Sequence, residues 1–113
     1  MSLDRSVGTS GYREAPPSEV AKEMGRTRFI DVREPHEYTG ELGHVPGSEL
    51  VPMATVEQAS RGWPKEQRIV LVCRSGARSG RVAGYLVTAG FTDVTNMTGG
   101  MLGWNAAGLP VKR

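Results

Sequence analysis

Ile69-Val70-Leu71-Val72-Cys73-Arg74-Ser75-Gly76-Ala77-Arg78-Ser79 decides how this chain is read. The aliphatic run from Ile69 to Val72 has the length and composition of a buried strand, and Val82, Tyr85, Leu86 and Ala89 then recur at helical spacing. Between them stands Cys73, the only cysteine of the chain. The segment therefore reads strand, tight loop, helix, with a thiol at the turn. The start of a helix offers unpaired N–H groups and the positive end of its dipole, and both favour a thiolate over a thiol. Arg74 and Arg78 push in the same direction.

The formal net charge is only +2, yet the stretch from Gln67 to Thr92 holds Arg68, Arg74, Arg78 and Arg81 and no Asp or Glu. Cysteines in such surroundings have pKa values lowered from about 8.5 to roughly 3.5–7.5. Cys73 is accordingly expected to be largely ionised at neutral pH. The alternative is a buried structural cysteine at a strand end. Such a thiol needs no pair of arginines, pair of serines and glycine in the next six residues. Arg81 falls off the apolar stripe of the helix and reads as a solvated charge.

A chain of 113 residues holds one domain, large enough to bury a core without cross-links. A single cysteine excludes an internal disulfide. The first twenty-five residues carry Asp4, Arg5, Arg13, Glu14 and Pro16-Pro17 with no apolar stretch, so neither a signal peptide nor a membrane span is expected there. The default setting is cytoplasmic and reducing. The pI is about 9.0, but cations and anions alternate and no Lys/Arg run appears, so nucleic acid is not an expected partner. His36 and His44 lack ligand spacing, and neither a metal nor a cofactor is expected.

Residues 1 to 15 read as a flexible N-terminal tail, with the domain proper spanning 16–113. A short helix is expected from Pro17-Ser18-Glu19, capped by Ser18 and stopped at Gly25. Strands are expected at 28–32, 49–51, 68–72 and 93–97. Helical turns are expected after Pro35, over 55–61, from about Ser79 to Ala89 and over 101–106. Alternation of this kind implies an α/β fold with a mainly parallel sheet, whose ligand site lies beyond the carboxyl ends of the strands. Cys73 occupies that edge.

Four motifs, in order, carry a resemblance: Asp31-Val32-Arg33-Glu34, Gly43-His44-Val45-Pro46-Gly47, the Cys73–Ser79 loop, and Gly99-Gly100 with Gly103-Trp104. They resemble the ordered motifs of single-domain rhodaneses and cover roughly residues 28–113. The resemblance implies a three-layer rhodanese-like fold, helices flanking a mainly parallel sheet. It implies a sulfurtransferase moving sulfane sulfur from thiosulfate or a persulfide donor to cyanide or a thiol. By position, Cys73 is then the nucleophile, and the loop residues Arg74, Ser75, Gly76, Ala77 and Arg78 bind the small anionic donor. Asp31, Arg33 and Ser79 support the site, Ser75 and Ser79 as hydrogen-bond donors or capping residues. A protein thiol could serve as acceptor. Gly99 and Gly100 read as close-approach glycines, and Trp104 as packing.

The chemistry agrees with the resemblance, since a pre-ionised cysteine attacks sulfur without a neighbouring base. Two rivals stand beside it. Cysteine phosphatases and arsenate reductases use Cys-x5-Arg, whereas Cys73 to Arg78 is Cys-x4-Arg, a tighter loop. A non-catalytic, partner-docking module of the same fold is the other.

Overall fold

Ile69–Val72 is buried on both faces, which is why it reads as an unbroken apolar run. Ile69 and Leu71 pack with Val82, Ala83 and Leu86 on one side, while Val70 and Val72 pack with Met97, Met101 and Trp104 on the other. A computed structural model describes residues 11–113. Its elements are β1 (Arg13–Ala15), α1 (Pro17–Val20), β2 (Arg28–Asp31), α2 (Pro35–Tyr38), β3 (Glu49–Leu50), α3 (Val56–Ala59), β4 (Ile69–Val72), α4 (Ala77–Thr88), β5 (Val94–Met97) and α5 (Gly100–Ala106).

The five strands form one sheet in the order β1-β5-β4-β2-β3, and every pairing is parallel. One isolated antiparallel bridge, His44 with Lys112, ties the chain end to the loop before β3. Val56 of α3 and the buried stripe of α4 cover one face, and Val20 of α1 with Met101 and Trp104 of α5 cover the other. The expected three-layer α/β fold is the observed one, with a sheet wholly rather than mainly parallel.

The chain leaves β2 towards β3 at one edge and leaves β4 towards β5 on the other side. Diverging connections open a crevice at the carboxyl ends of the strands between them, the usual ligand position in parallel sheets. Register sets Asp31 beside Val72 and Leu71 beside Asn96, so Asp31, Cys73 and Asn96 meet at that edge.

Four local expectations are corrected. Residues 13–15 are not tail: they form β1, held by its ladder to Thr95–Met97 and by an Arg13–Asp93 ion pair at 2.9 Å. Of the rest of the expected tail, residues 11–12 turn into β1 with Tyr12 packed against the core, and residues 1–10 lie outside the described residues. Ser18 does not cap α1; Pro16 takes the N-cap and Pro17 the first helical position, where a missing N–H is harmless. The helix expected from Ser79 begins two residues earlier, because Gly76 turns the chain sharply at φ 105° and leaves Ala77 already helical. The helix expected over 55–61 is a short α-turn, α3, between two 3-10 turns, Met53–Thr55 and Ser60–Gly62.

Candidate active site

β4 delivers Cys73 to the crevice, and the loop after it curls so that its amides point back at the sulfur. Sγ accepts from the N–H of Gly76 at 3.1 Å and the N–H of Ser79 at 3.3 Å, and the Ser79 hydroxyl lies 3.3 Å away. Cys73 is 1 % exposed, so the sulfur forms the floor of a cradle. Burial pushes the thiol up. Against it stand the hydrogen bonds from the N–H groups of Ser79, Gly76 and Ser75, and the thiol lies below its ordinary value.

For the amides to face inward the carbonyls must face outward, and α5 receives them. The N–H of Met101 donates to Cys73 O at 2.9 Å, and that of Leu102 to Arg74 O at 3.1 Å. Gly100 makes this contact possible, since a Cβ there would be driven into the backbone of Cys73 and Arg74. The expected role of Gly100 in close approach is met. Trp104 is fully buried and donates to Pro110 O at 2.7 Å, a packing residue as expected.

Asp31 and Arg33 form a buried pair at the neck of the crevice. Arg33 Nε donates to Asp31 Oδ1 at 2.9 Å and Nη2 to Oδ2 at 2.8 Å, and Nη2 also donates to Gly43 O at 2.7 Å. This links the first two sequence motifs and anchors the glycine loop to the end of β2. The two arginines of the cysteine loop differ from each other. Arg74 is exposed and has no carboxylate partner among the described residues. Arg78 is held by Glu37 of α2 through two 2.8 Å hydrogen bonds that cross the crevice. The acid-free stretch around Cys73 is thus answered from another element: Arg78 does not face the crevice as a free cation.

Glu37 also accepts from the Glu34 N–H at 3.0 Å, and its carboxyl is lowered from 4.5 to about 2, chiefly by the Arg78 hydrogen bonds, with burial opposing. Arg78 is raised in turn, again chiefly by Glu37. Arg33, Glu37 and Arg74, with His36, Gly40, Glu41 and Leu42, line a cavity of about 210 Å³ on the β2 side of the loop. Ser75 contributes its N–H, while its side chain is exposed. Ala77 is exposed at the first position of α4.

Glu37 and Asn96 are site residues that the sequence alone did not single out. Asn96, on β5, donates from Nδ2 to Gly76 O at 3.2 Å and accepts from Ser79 Oγ at 2.5 Å. Its only signal was an amide side chain within the strand expected at 93–97, beside a second polar residue, Thr95. Among the described residues no cluster of His, Cys, Asp or Glu is placed to hold a metal, and no helix is long and apolar enough to cross a membrane.

A sheet-centre cysteine in an amide-lined loop, on an all-parallel five-stranded α/β fold, defines a class of protein, and comparison with known proteins gives that class its name. The family model of the rhodanese-like domain matches residues 16–107, and the chain belongs to that family. It is 40% identical over 79 residues to the thiosulfate sulfurtransferase GlpE of Pseudoalteromonas translucida, covering 70% of this chain and 73% of that one. A rhodanese-like domain protein from Staphylococcus aureus superposes with TM-score 0.75 at 29% identity, over 88% of this chain and 98% of that one. A Rhodopseudomonas palustris protein of unknown function, described as a possible tyrosine phosphatase, shares the fold at TM-score 0.78 and 19% identity, over 99% of this chain and 98% of that one. A shared fold does not by itself fix the chemistry of a site.

Proposed function

We propose that this protein is a thiosulfate- or persulfide-dependent sulfurtransferase acting by double displacement through Cys73. The Cys73 thiolate attacks the sulfane sulfur of the donor. In thiosulfate the S–S bond breaks and sulfite leaves with the bonding pair. Cys73 then carries a persulfide whose outer sulfur stands about 2 Å beyond Sγ, towards the open side of the loop. An acceptor, cyanide or a thiol of a small molecule or protein, attacks that outer sulfur, and Cys73 recovers its electron pair.

The observation that carries the reading is the convergence of the Gly76 and Ser79 amides on a sulfur already held below its ordinary pKa. Preorganised donors of this kind stabilise anionic sulfur without reorganisation at the moment of reaction. No base is needed. In this reading Arg74 receives the anionic donor, and Arg78 serves mainly to close α2 onto the loop. Asp31 and Arg33 hold the crevice open. The working unit is the domain of residues 16–113 together with β1.

Incubation with thiosulfate should add one sulfur atom to the intact protein by mass spectrometry, and cyanide should then remove it as thiocyanate. Cys73→Ser should abolish both steps while circular dichroism stays unchanged, because a hydroxyl cannot form a persulfide. Sulfur transfer retained by that variant would refute the mechanism, and no sulfur uptake by the wild type would leave a docking module. The four residues between Cys73 and Arg78 make the loop tight for a phosphoryl group, so aryl phosphate hydrolysis should be undetectable.

A further inference from the structure

The Ser79 hydroxyl touches two groups that could accept its proton, Cys73 Sγ at 3.3 Å and Asn96 Oδ1 at 2.5 Å. It has one proton, and the orientation of Asn96 decides where that proton goes. Gly76 O can only accept, so the Asn96 atom facing it at 3.2 Å is the NH2 group, which leaves Oδ1 for Ser79. Oδ1 can also only accept, so the Ser79 proton is committed to Asn96. Sγ then faces a lone pair of Oγ, and its donors are backbone amides. Asn96 is buried, and its Nδ2 lies over Gly80, where a Cβ would stand 3.4 Å away.

We propose that Asn96 is a positioning residue for the reactive sulfur: its carboxamide withholds the Ser79 proton from Cys73 while anchoring the carbonyl of Gly76, the residue whose own N–H faces the sulfur. The consequence is kinetic. A thiolate that receives a further donor becomes more stable but a poorer nucleophile, with rate following basicity at a Brønsted slope of about 0.4–0.5. By keeping the hydroxyl turned away, Asn96 leaves Cys73 ionised by amides alone and more reactive than a triply bonded sulfur would be.

The test is the pH dependence of Cys73 alkylation by iodoacetamide, measured in the wild type, Asn96→Ala, Ser79→Ala and the double variant. Freed from Asn96, the Ser79 hydroxyl should turn to the sulfur. Asn96→Ala should then move the midpoint down by about one pH unit, the scale of one hydrogen bond to a charged group. It should also lower the high-pH plateau rate by about threefold. In the Ser79→Ala background, Asn96→Ala should produce neither change, and any residual shift measures the Gly76 anchor alone. The same shift with and without the Ser79 hydroxyl, an upward shift when that hydroxyl is present, or no shift at all would overturn the proposal. If alanine loosens the strand, Asn96→Val, a β-former that also lacks both polar arms, replaces it in the same cycle. Alkylation does not require sulfur transfer, so this experiment stands or falls separately from the proposed activity.

Discussion

Two arginine–carboxylate pairs frame the crevice, and they do different work. Arg33 and Asp31 are 1 % and 0 % exposed, lie two residues apart, and sit inside the fold with a third bond to Gly43 O. Arg78 and Glu37 are 31 % and 20 % exposed, lie 41 residues apart, and span the opening between α2 and α4. The first pair is sealed from water, so each charge depends wholly on the other and on its hydrogen bonds. The second is partly screened and joins two elements that nothing covalent brings together. A buried pair is a structural commitment; a rim pair is a closure whose strength solvent can alter.

The largest effect should come from breaking the buried pair. Arg33→Ala leaves Asp31 as an uncompensated buried charge and should destabilise the fold by about 3–5 kcal/mol, read from urea denaturation. A loss below about 1 kcal/mol, the range of exposed pairs, would show that water reaches Asp31 and that the two pairs are alike after all.

The second contrast lies between the two loop arginines and concerns substrate. Arg74, with no carboxylate partner among the described residues, is expected to carry the donor's charge, so Arg74→Ala should raise KM for thiosulfate roughly tenfold. Arg78→Ala should raise it less, because Glu37 already neutralises that guanidinium. Glu37→Gln, which frees Arg78, should lower KM instead. Equal losses for the two alanine variants would mean that the rim pair opens when donor binds.

The smallest effect is on stability against acid. Glu37 is lowered from 4.5 to about 2 in the fold, so its contribution is complete above about pH 4.5 and disappears as pH falls towards 2. Glu37→Gln should cost about 0.2–1 kcal/mol near neutrality. Wild type and variant should converge in urea midpoint at the acid end of that window. A constant difference down to the lowest pH would assign the loss to packing rather than to charge.

What the sequence made legible follows from how local each signal is. Ile69–Val72, Cys73 and the Val82/Leu86 stripe carry their own pattern, so the central strand, loop and helix were readable together. Asp31 and Arg33 are two residues apart and were readable as a motif, although their burial was not. β1 was missed because Arg13-Glu14-Ala15 shows no apolar alternation; an edge strand of three residues is held by its ladder, and a ladder leaves no mark on side-chain pattern. The partners of Arg78 and Ser79 were missed for a related reason. Glu37 and Asn96 become neighbours only through strand order, 41 residues upstream in one case and 17 downstream in the other.

The sulfur seat is built from peptide N–H groups, and its outer carbonyls are fastened to α5. Backbone atoms are common to nearly every residue type, so the parts of the loop that hold sulfur are largely indifferent to the side chains displayed above them. Ser75 and Ala77 point outward and are exposed. They can change without disturbing the seat, whereas Gly76 and Gly100 are bound by their φ angles of 105° and 55°. Such a loop can be rewritten on its outer surface to meet new acceptors while the inner chemistry stays as it is, so that one domain can diverge in its clients without relearning its reaction.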